Sequence, residues 1–326
     1  MAQPRIEIWF ELETRCNLHC KFCYNFWKDG SAQAPSRLST AETIEALRRL
    51  FDAVDCQQMA ISGGEPLLRE DLYEILAFVR SRSVPMVLTT NSTLLSPTKI
   101  VELVNLGVTT FQVPLHSLNR EVHDYLCGLA CWEQTLRNLI SLRSMGQNVV
   151  PVFVATACNL QDFPGVMKVC SCLGLDEIIF NRFVPTGLGR IYENTIGVPD
   201  DSSLIRALLQ ANEIALGLNM WVHLGTPITV SGEIRSRLNR IVLASCPVGL
   251  GQSRWLIDAN GNIRRCNQSS LSIGNLLTDG LRILLQELDK PRSTNSGADQ
   301  IKPCKILSDG QLLQLGDNPV HAPRSE

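Results

Sequence analysis

Three cysteines, Cys16, Cys20 and Cys23, fall at the spacing C-x3-C-x2-C, directly after an apolar, strand-like run from Arg5 to Leu12. Three thiolates on one short loop can hold three irons of a cubane [4Fe–4S] cluster, which leaves the fourth iron without a protein ligand and open to chemistry. Zinc is the competing reading. It takes four ligands, usually from paired short knuckles, and His19 is the fourth at hand. A second constellation, Gly63-Gly64-Glu65-Pro66, closes the strand-like stretch Gln57 to Ser62. Glycine at a strand end lets backbone approach a ligand, and Glu65 adds a carboxylate at the same edge.

The elements that must position these groups follow a regular alternation. Ser39, with Glu42 three residues on, caps a helix with the apolar face Ile44, Leu47, Leu50 and Phe51. Helices are then expected over 71–82, 97–106, 132–145 and 163–173, and strands over 84–90, 108–115, 149–156 and 177–183. With Arg5–Leu12 and Gln57–Ser62 this makes six strands alternating with helices, an α/β pattern that implies a parallel sheet with right-handed crossovers. Six units suggest a partial (β/α)6 barrel of the TIM type, with functional residues at the carboxyl ends of the strands. Those ends are polar: Thr89-Thr90-Asn91-Ser92, His116-Ser117, Thr156-Ala157-Cys158-Asn159 and Asn181-Arg182. Asn and Ser also close turns and cap helices, so each has a structural reading beside the functional one.

Length and composition bound the rest. At 326 residues the chain accommodates a barrel of about 200 to 250 residues and a smaller appendage. Its 30 basic and 32 acidic residues nearly balance and no long basic run occurs, so no nucleic-acid partner is expected. No membrane segment is expected either. Met1 to Arg5 lacks an apolar signal core, which points to the cytoplasm, where the 12 cysteines serve as metal ligands, reactive thiols or small buried hydrophobes. Residues 184–199, rich in Gly, Pro and Thr, read as a loop over the barrel mouth. A helix from Asp201 to Leu216 and a short strand near Met220 to His223 follow, and the domain boundary is placed near residue 225.

The cysteine loop, with the aromatic Phe22 before its last cysteine, and the Gly-Gly-Glu-Pro strand end resemble the radical S-adenosylmethionine (SAM) superfamily. The resemblance implies that the open iron binds the amino and carboxylate groups of SAM, and that one electron from the cluster cleaves SAM to a 5′-deoxyadenosyl radical. It implies that Gly63, Gly64 and Glu65 hold the SAM amino group. Asn91, Ser117, Asn159 and Arg182 would contact its ribose, adenine or carboxylate. In related families His-Asp is followed two residues on by Arg-Gly, whereas here His123-Asp124-Tyr125-Leu126 leads into Cys127-Gly128. The carboxylate partner is then Arg120, Arg137 or Arg182. Cys127 is either a hydrogen-atom donor or a buried, inert thiol, and Cys131 carries the same alternatives.

Cys246, Gly261 and Cys266 give the spacing C-x14-G-x4-C, and Asn260-Gly261 between two alternating stretches signals a type I′ hairpin that brings both cysteines together. This resembles the start of SPASM and Twitch auxiliary-cluster domains, with Ile273 to Leu276 leading into a helix over 277–288. Cys304 would be the third ligand of a second, auxiliary [4Fe–4S] cluster; zinc, with His223 or His321 as fourth ligand, is the alternative. A three-cysteine auxiliary cluster also resembles that of the GTP-cyclising enzyme of molybdenum-cofactor synthesis, where it contacts substrate. The expected domains are therefore a radical SAM partial barrel over 1–225, a small Twitch-like α+β domain over 226–307 and a polar tail over 308–326.

The resemblance implies an enzyme that oxidises or cross-links a ribosomal peptide and draws electrons from a donor such as flavodoxin or ferredoxin. A first strand at Arg5 leaves no room ahead of it for a peptide-binding domain, so a separate leader-peptide-binding protein is expected. The alternatives are a dehydrogenase or cyclase acting on a small metabolite or cofactor precursor and, from another class, a non-catalytic iron–sulfur scaffold or redox sensor.

Overall fold

Strand β1 (Arg5–Glu13) sets the architecture, because its residues alternate between two faces. Ile6, Ile8, Phe10 and Leu12 are buried in the main core, so Glu7, Trp9, Glu11 and Glu13 lie on the opposite face. The structure is a computed structural model that describes residues 3–28, 36–244, 254–264, 266–269 and 271–289.

The expected alternation is present. After β1 come α1 (Thr40–Ala53), β2 (Asp55–Gly63), α2 (Leu72–Ser81), β3 (Met86–Thr89), α3 (Pro97–Asn105) and β4 (Val108–Pro114). Then follow α4 (Arg120–Cys127), α5 (Trp132–Ser144), β5 (Asn148–Ala155), α6 (Phe163–Cys172) and β6 (Glu177–Arg182). The stretch 184–199, read as a loop, holds two short helices, α7 (Leu188–Ile191) and α8 (Glu193–Ile196). The long helix α9 (Asp201–Leu218) leads to β7 (Trp221–Leu224), α10 (Gly232–Arg237) and β8 (Ile241–Val242). The hairpin β9 (Arg254–Ile257) and β10 (Asn262–Arg264), β11 (Ser272–Asn275) and α11 (Leu281–Asp289) complete the described elements.

Among the described residues, eleven strands form one sheet in the order β11-β10-β9-β1-β2-β3-β4-β5-β6-β7-β8. Neighbours from β1 to β8 are parallel, so the carboxyl ends of β1 to β6 share one edge. On the far side of β1, β9 pairs parallel with it and β10 returns antiparallel. The hairpin signalled by Asn260-Gly261 is therefore there, Gly261 having a φ of +80°, and its first strand is hydrogen-bonded to the first strand of the barrel.

The helix-facing core explains the register. Phe153 on β5, Phe180 on β6 and Phe163 on α6 are fully buried, with ring centroids 4.8 to 5.9 Å apart. Burial of each such ring contributes about 1.5–3 kcal/mol, and a slip of one residue would turn both strand phenylalanines away from the helices. Helix α1 begins as expected: Ser39 Oγ accepts from Glu42 N–H while the Glu42 carboxylate accepts from Ser39 N–H, a capping box. Helix α4 was not anticipated. It is held by Asn119, whose side chain accepts from Glu121 and Val122, and by Gly128, which ends it at a φ of +71°.

A buried ion pair joins the two sides of β1. Arg264 on β10 meets Glu11 on β1, with side chains 1% and 0% exposed. Burial raises the Glu11 pKa, although Arg264 and the Tyr24 hydroxyl oppose the rise. Since Tyr24 directly follows Cys23, this pair links the hairpin to the cysteine loop. No helix among the described residues is long and apolar enough to cross a membrane.

Candidate active site

The cysteine loop leaves β1 at the carboxyl edge and is fastened by its backbone to three other parts of the chain. Gly64 and Glu65 donate their N–H groups to Glu13 O at 2.6 Å and Arg15 O at 2.8 Å. Lys21 N–H donates to Leu126 O at the end of α4, and Gly189 N–H on α7 donates to Cys23 O at 2.9 Å. The glycines of Gly63-Gly64 are required here: Gly63 has a φ of +133°, and a Cβ at either position would run into the backbone of Glu13, Thr14 or Arg15. The close approach that glycine permits at this strand end is thus to the cysteine loop itself.

Within the loop Cys23 N–H donates to Cys20 O at 3.0 Å and Leu18 N–H to Cys16 Sγ at 3.4 Å. All three thiols are half-buried. Burial raises the Cys16 pKa and pushes Cys23 up to about 12, and charge on the neighbouring thiols adds to both rises. Cys20 is shifted down, chiefly by a hydrogen bond from Cys127. Lys28 lowers all three; its ammonium donates to Leu18 O at 3.2 Å, inside the loop. Cys16 and Cys23 therefore ionise readily only with added positive charge, which coordinated iron would supply. The donor set fits three corners of a cubane cluster.

Glu65 is fully buried. Its carboxylate accepts from Thr90 Oγ1 at 2.7 Å, Asn91 N–H at 2.7 Å and Leu67 N–H at 3.1 Å, which ties the end of β3 to the Gly-Gly-Glu-Pro turn. Burial raises its pKa against the pull of these donors. Asn91 carries the link onward, donating from Nδ2 to Asn17 Oδ1 at 2.8 Å and to Cys16 Sγ at 3.9 Å. The structure therefore brings Cys16, Asn17, Glu65 and Asn91 together across β1, β2 and β3.

Ser117 and Asn159 also come together, at the ends of β4 and β5. The Ser117 hydroxyl donates to Asp162 and accepts from Asn119 N–H. Asn159 is fully buried; it accepts from Thr156 and donates to His116 O at 2.8 Å and Val154 O at 3.0 Å. His116 Nδ1 accepts from Val154 N–H, and burial holds its pKa well below the usual range, so it is neutral. Arg182 closes β6, its backbone N–H donating to Thr226 Oγ1 at 2.7 Å. Arg120 and Arg137 lie at the surface, paired with Asp124 at 3.5 Å and Glu133 at 2.8 Å.

Cys127 ends α4 in a buried group with Cys131 and His123, packed against Cys16 and Cys20. Cys266 follows the hairpin, its Sγ accepting from Gln268 N–H at 3.4 Å, and His223 faces Glu177 at 3.7 Å. Cys246, Cys304 and His321 lie outside the described residues. Lys28 and Asn17 were missed from sequence: Asn17 fills a variable position inside the cysteine motif and Lys28 lies beyond it, so only the fold shows what each side chain meets.

Residues 11–161 match the family model of the radical SAM superfamily. That stretch is a radical SAM domain. The radical SAM domain so defined runs from β1 to the end of β5 and includes the cysteine loop, the Glu65 turn and the β3 and β4 ends. The AdoMet-dependent heme synthase of Oleidesulfovibrio alaskensis is 30% identical over 184 residues, 56% of this chain and 46% of that protein. The probable GTP 3′,8-cyclase of Methanocaldococcus jannaschii is 26% identical over 180 residues, 53% of this chain and 57% of that protein. The chain thus spans about half the length of these curated relatives. Among solved structures, Streptococcus suis SuiB bound to its precursor peptide SuiA superposes with a TM-score of 0.67 at 16% identity, over 87% of this chain and 65% of that one. This likeness establishes the shared fold, an α/β partial barrel.

Proposed function

We propose that this radical SAM protein holds a [4Fe–4S] cluster on Cys16, Cys20 and Cys23 and cleaves SAM reductively to abstract hydrogen from a substrate. Such a cluster supplies an open iron for SAM and the electron that breaks its carbon–sulfur bond. The observation that carries the proposal is three half-buried thiols on one loop, braced by the Gly63-Gly64 backbone and the Glu65–Asn91 link. The chain's own residues do three things here. The glycine pair fixes the height of the loop against β2; Glu65 and Asn91 lock the β3 end to it; and Lys28 places a cation beside the sulfurs. Asn91 and Arg182, at strand ends on the open edge, are the residues proposed to meet SAM, with Ser117 and Asn159 shaping the loops between them.

For substrate we propose a peptide, with the region from 226 as an auxiliary domain whose cluster sits on Cys246, Cys266 and Cys304. Support comes from the β9–β10 hairpin immediately before Cys266 and from the fold shared with a protein solved in complex with a precursor peptide. A flavodoxin or ferredoxin as donor, a separate leader-binding protein and a cytoplasmic location belong to the same reading. The second reading, a small molecule, is favoured by the curated relatives, described as a heme synthase and a GTP cyclase. The auxiliary proposal is tested by iron and acid-labile sulfide per chain after anaerobic reconstitution of the variant with Cys16, Cys20 and Cys23 all changed to alanine. Retention of about four irons is expected. Loss of essentially all iron would refute the second cluster.

A further inference from the structure

The carboxyl end of α4 places three more sulfur and nitrogen ligands behind the cysteine loop. Cys127 Sγ, Cys131 Sγ and a ring nitrogen of His123 lie within 4.8 Å of one another, all three residues are buried, and Cys127 and Cys131 pack with Leu18 against Cys16 and Cys20. The α4 end is docked tightly on the loop: Lys21 N–H donates to Leu126 O at 2.8 Å, and Gly128 lies so close to His19 that a Cβ there would meet its carbonyl.

A set of His, Cys and Cys first suggests a metal. The hydrogen bonds of His123 argue otherwise. His116 N–H donates to His123 Nδ1 at 3.2 Å, so in the neutral ring the proton sits on Nε2, the atom that faces Cys127 Sγ at 3.5 Å and would have to bind the metal. Nε2–H is instead a donor to sulfur. Cys127 has one proton to give, with Cys131 Sγ within 4.8 Å of its own sulfur and Cys20 packed against the same buried cluster.

We propose that Cys127 donates its S–H to the Cys20 sulfur and so raises the reduction potential of the cluster that Cys20 helps to hold, with Cys131 competing for the same proton. The inference rests on the reading that Cys16, Cys20 and Cys23 carry a [4Fe–4S] cluster. Reduction adds negative charge that spreads onto the ligand sulfurs, and a donor aimed at one of them stabilises the reduced form. Cys127 is thus a positioning residue that acts through Cys20.

The test is the midpoint potential of the reconstituted full chain, read by EPR during titration with dithionite, without SAM. Cys127→Ala is expected to move the midpoint to more negative values, and Cys127→Ser, which keeps a donor, to recover part of the change. Cys131→Ala frees the Cys127 proton for Cys20 and is expected to move it to more positive values. The Cys131 side chain makes no cap bond to α5, and Asp124 Oδ1 accepts from the Cys131 and Trp132 N–H groups instead, so this variant keeps the helix start. Opposite signs are what a merely structural role does not produce. Shifts of the same sign, or none, overturn the proposal; if Cys127→Ala fails to load, a zero or negative shift in Cys131→Ala overturns it alone. Zinc retained at one per chain in the Cys16/Cys20/Cys23 triple-alanine variant with Cys246, Cys266 and Cys304 also changed would overturn it too, by showing a metal on His123, Cys127 and Cys131. A wild-type chain with no reducible cluster refutes the underlying cluster reading instead.

Discussion

Replacing Glu65 tests whether the second motif locks the site or only decorates it. The carboxylate receives Thr90 O–H, Asn91 N–H and Leu67 N–H, and Glu65 is 0% exposed. Glu65→Ala leaves three donors without an acceptor, at about 1–3 kcal/mol for each one that stays buried and unpaired. Part of this is offset, because the variant no longer buries a carboxylate whose pKa burial has already raised. The net expectation is a loss of about 3–6 kcal/mol, a large share of the roughly 5–15 kcal/mol of a typical domain. Glu65→Gln keeps one acceptor oxygen and is expected to lose about half as much. Urea unfolding of the apo chain followed by tryptophan fluorescence measures both. The pH dependence has a definite sign. A carboxyl whose folded pKa lies above 4.5 holds its proton longer in the native state, so its contribution is complete below 4.5 and declines as pH rises through the folded pKa. Wild type should therefore lose stability relative to Glu65→Gln across that window. A Glu65→Ala loss under about 1 kcal/mol would refute the locking role.

Gly64→Ala puts a Cβ against the Arg15 carbonyl, an overpacking expected to cost about 1–3 kcal/mol and to displace the cysteine loop; iron per chain after reconstitution should fall well below wild type. Arg264→Met strands the buried Glu11 carboxylate and is expected to cost about 3–5 kcal/mol, whereas Arg264→Met with Glu11→Leu should recover most of it in a double-mutant cycle. Burial pulls the Glu13 carboxyl up, but the Arg15 hydrogen bonds and the charges of Arg15 and Arg37 hold it below the usual range. Its contribution is thus present above pH 4.5 and lost as pH falls through the folded pKa, and Arg37→Ala should flatten the acid limb of a urea midpoint against pH curve.

The parts of the molecule that were legible in the sequence are those written in periodicity. Alternating apolar runs located β1 to β6 to within a few residues, and Ser39 with Glu42 announced α1 correctly, because a capping box is a local pattern. Asn260-Gly261 announced the β9–β10 hairpin for the same reason, but nothing local says which strand a hairpin will pair with, and β9 lies against β1. Polar strand ends were visible as polar. Where their atoms bond was not: Asn159 spends its amide on Thr156, His116 and Val154, all reached only after the chain has turned. Lys28, the Glu11–Arg264 pair and the group at His123, Cys127 and Cys131 were hidden because each joins residues that the fold, not the spacing, makes neighbours. Helix α4 was masked by a polar run whose caps, Asn119 and Gly128, also fit an ordinary loop.

The central claim is that Cys16, Cys20 and Cys23 hold the cluster at which SAM is cleaved. Its most direct measurement is 5′-deoxyadenosine formed per chain when the anaerobically reconstituted protein is mixed with SAM and dithionite, set beside the variant with those three cysteines changed to alanine. The account predicts at least one equivalent from wild type and none above background from the variant. Equal yields from both, or none from a wild type that carries its full iron and sulfide, would contradict it.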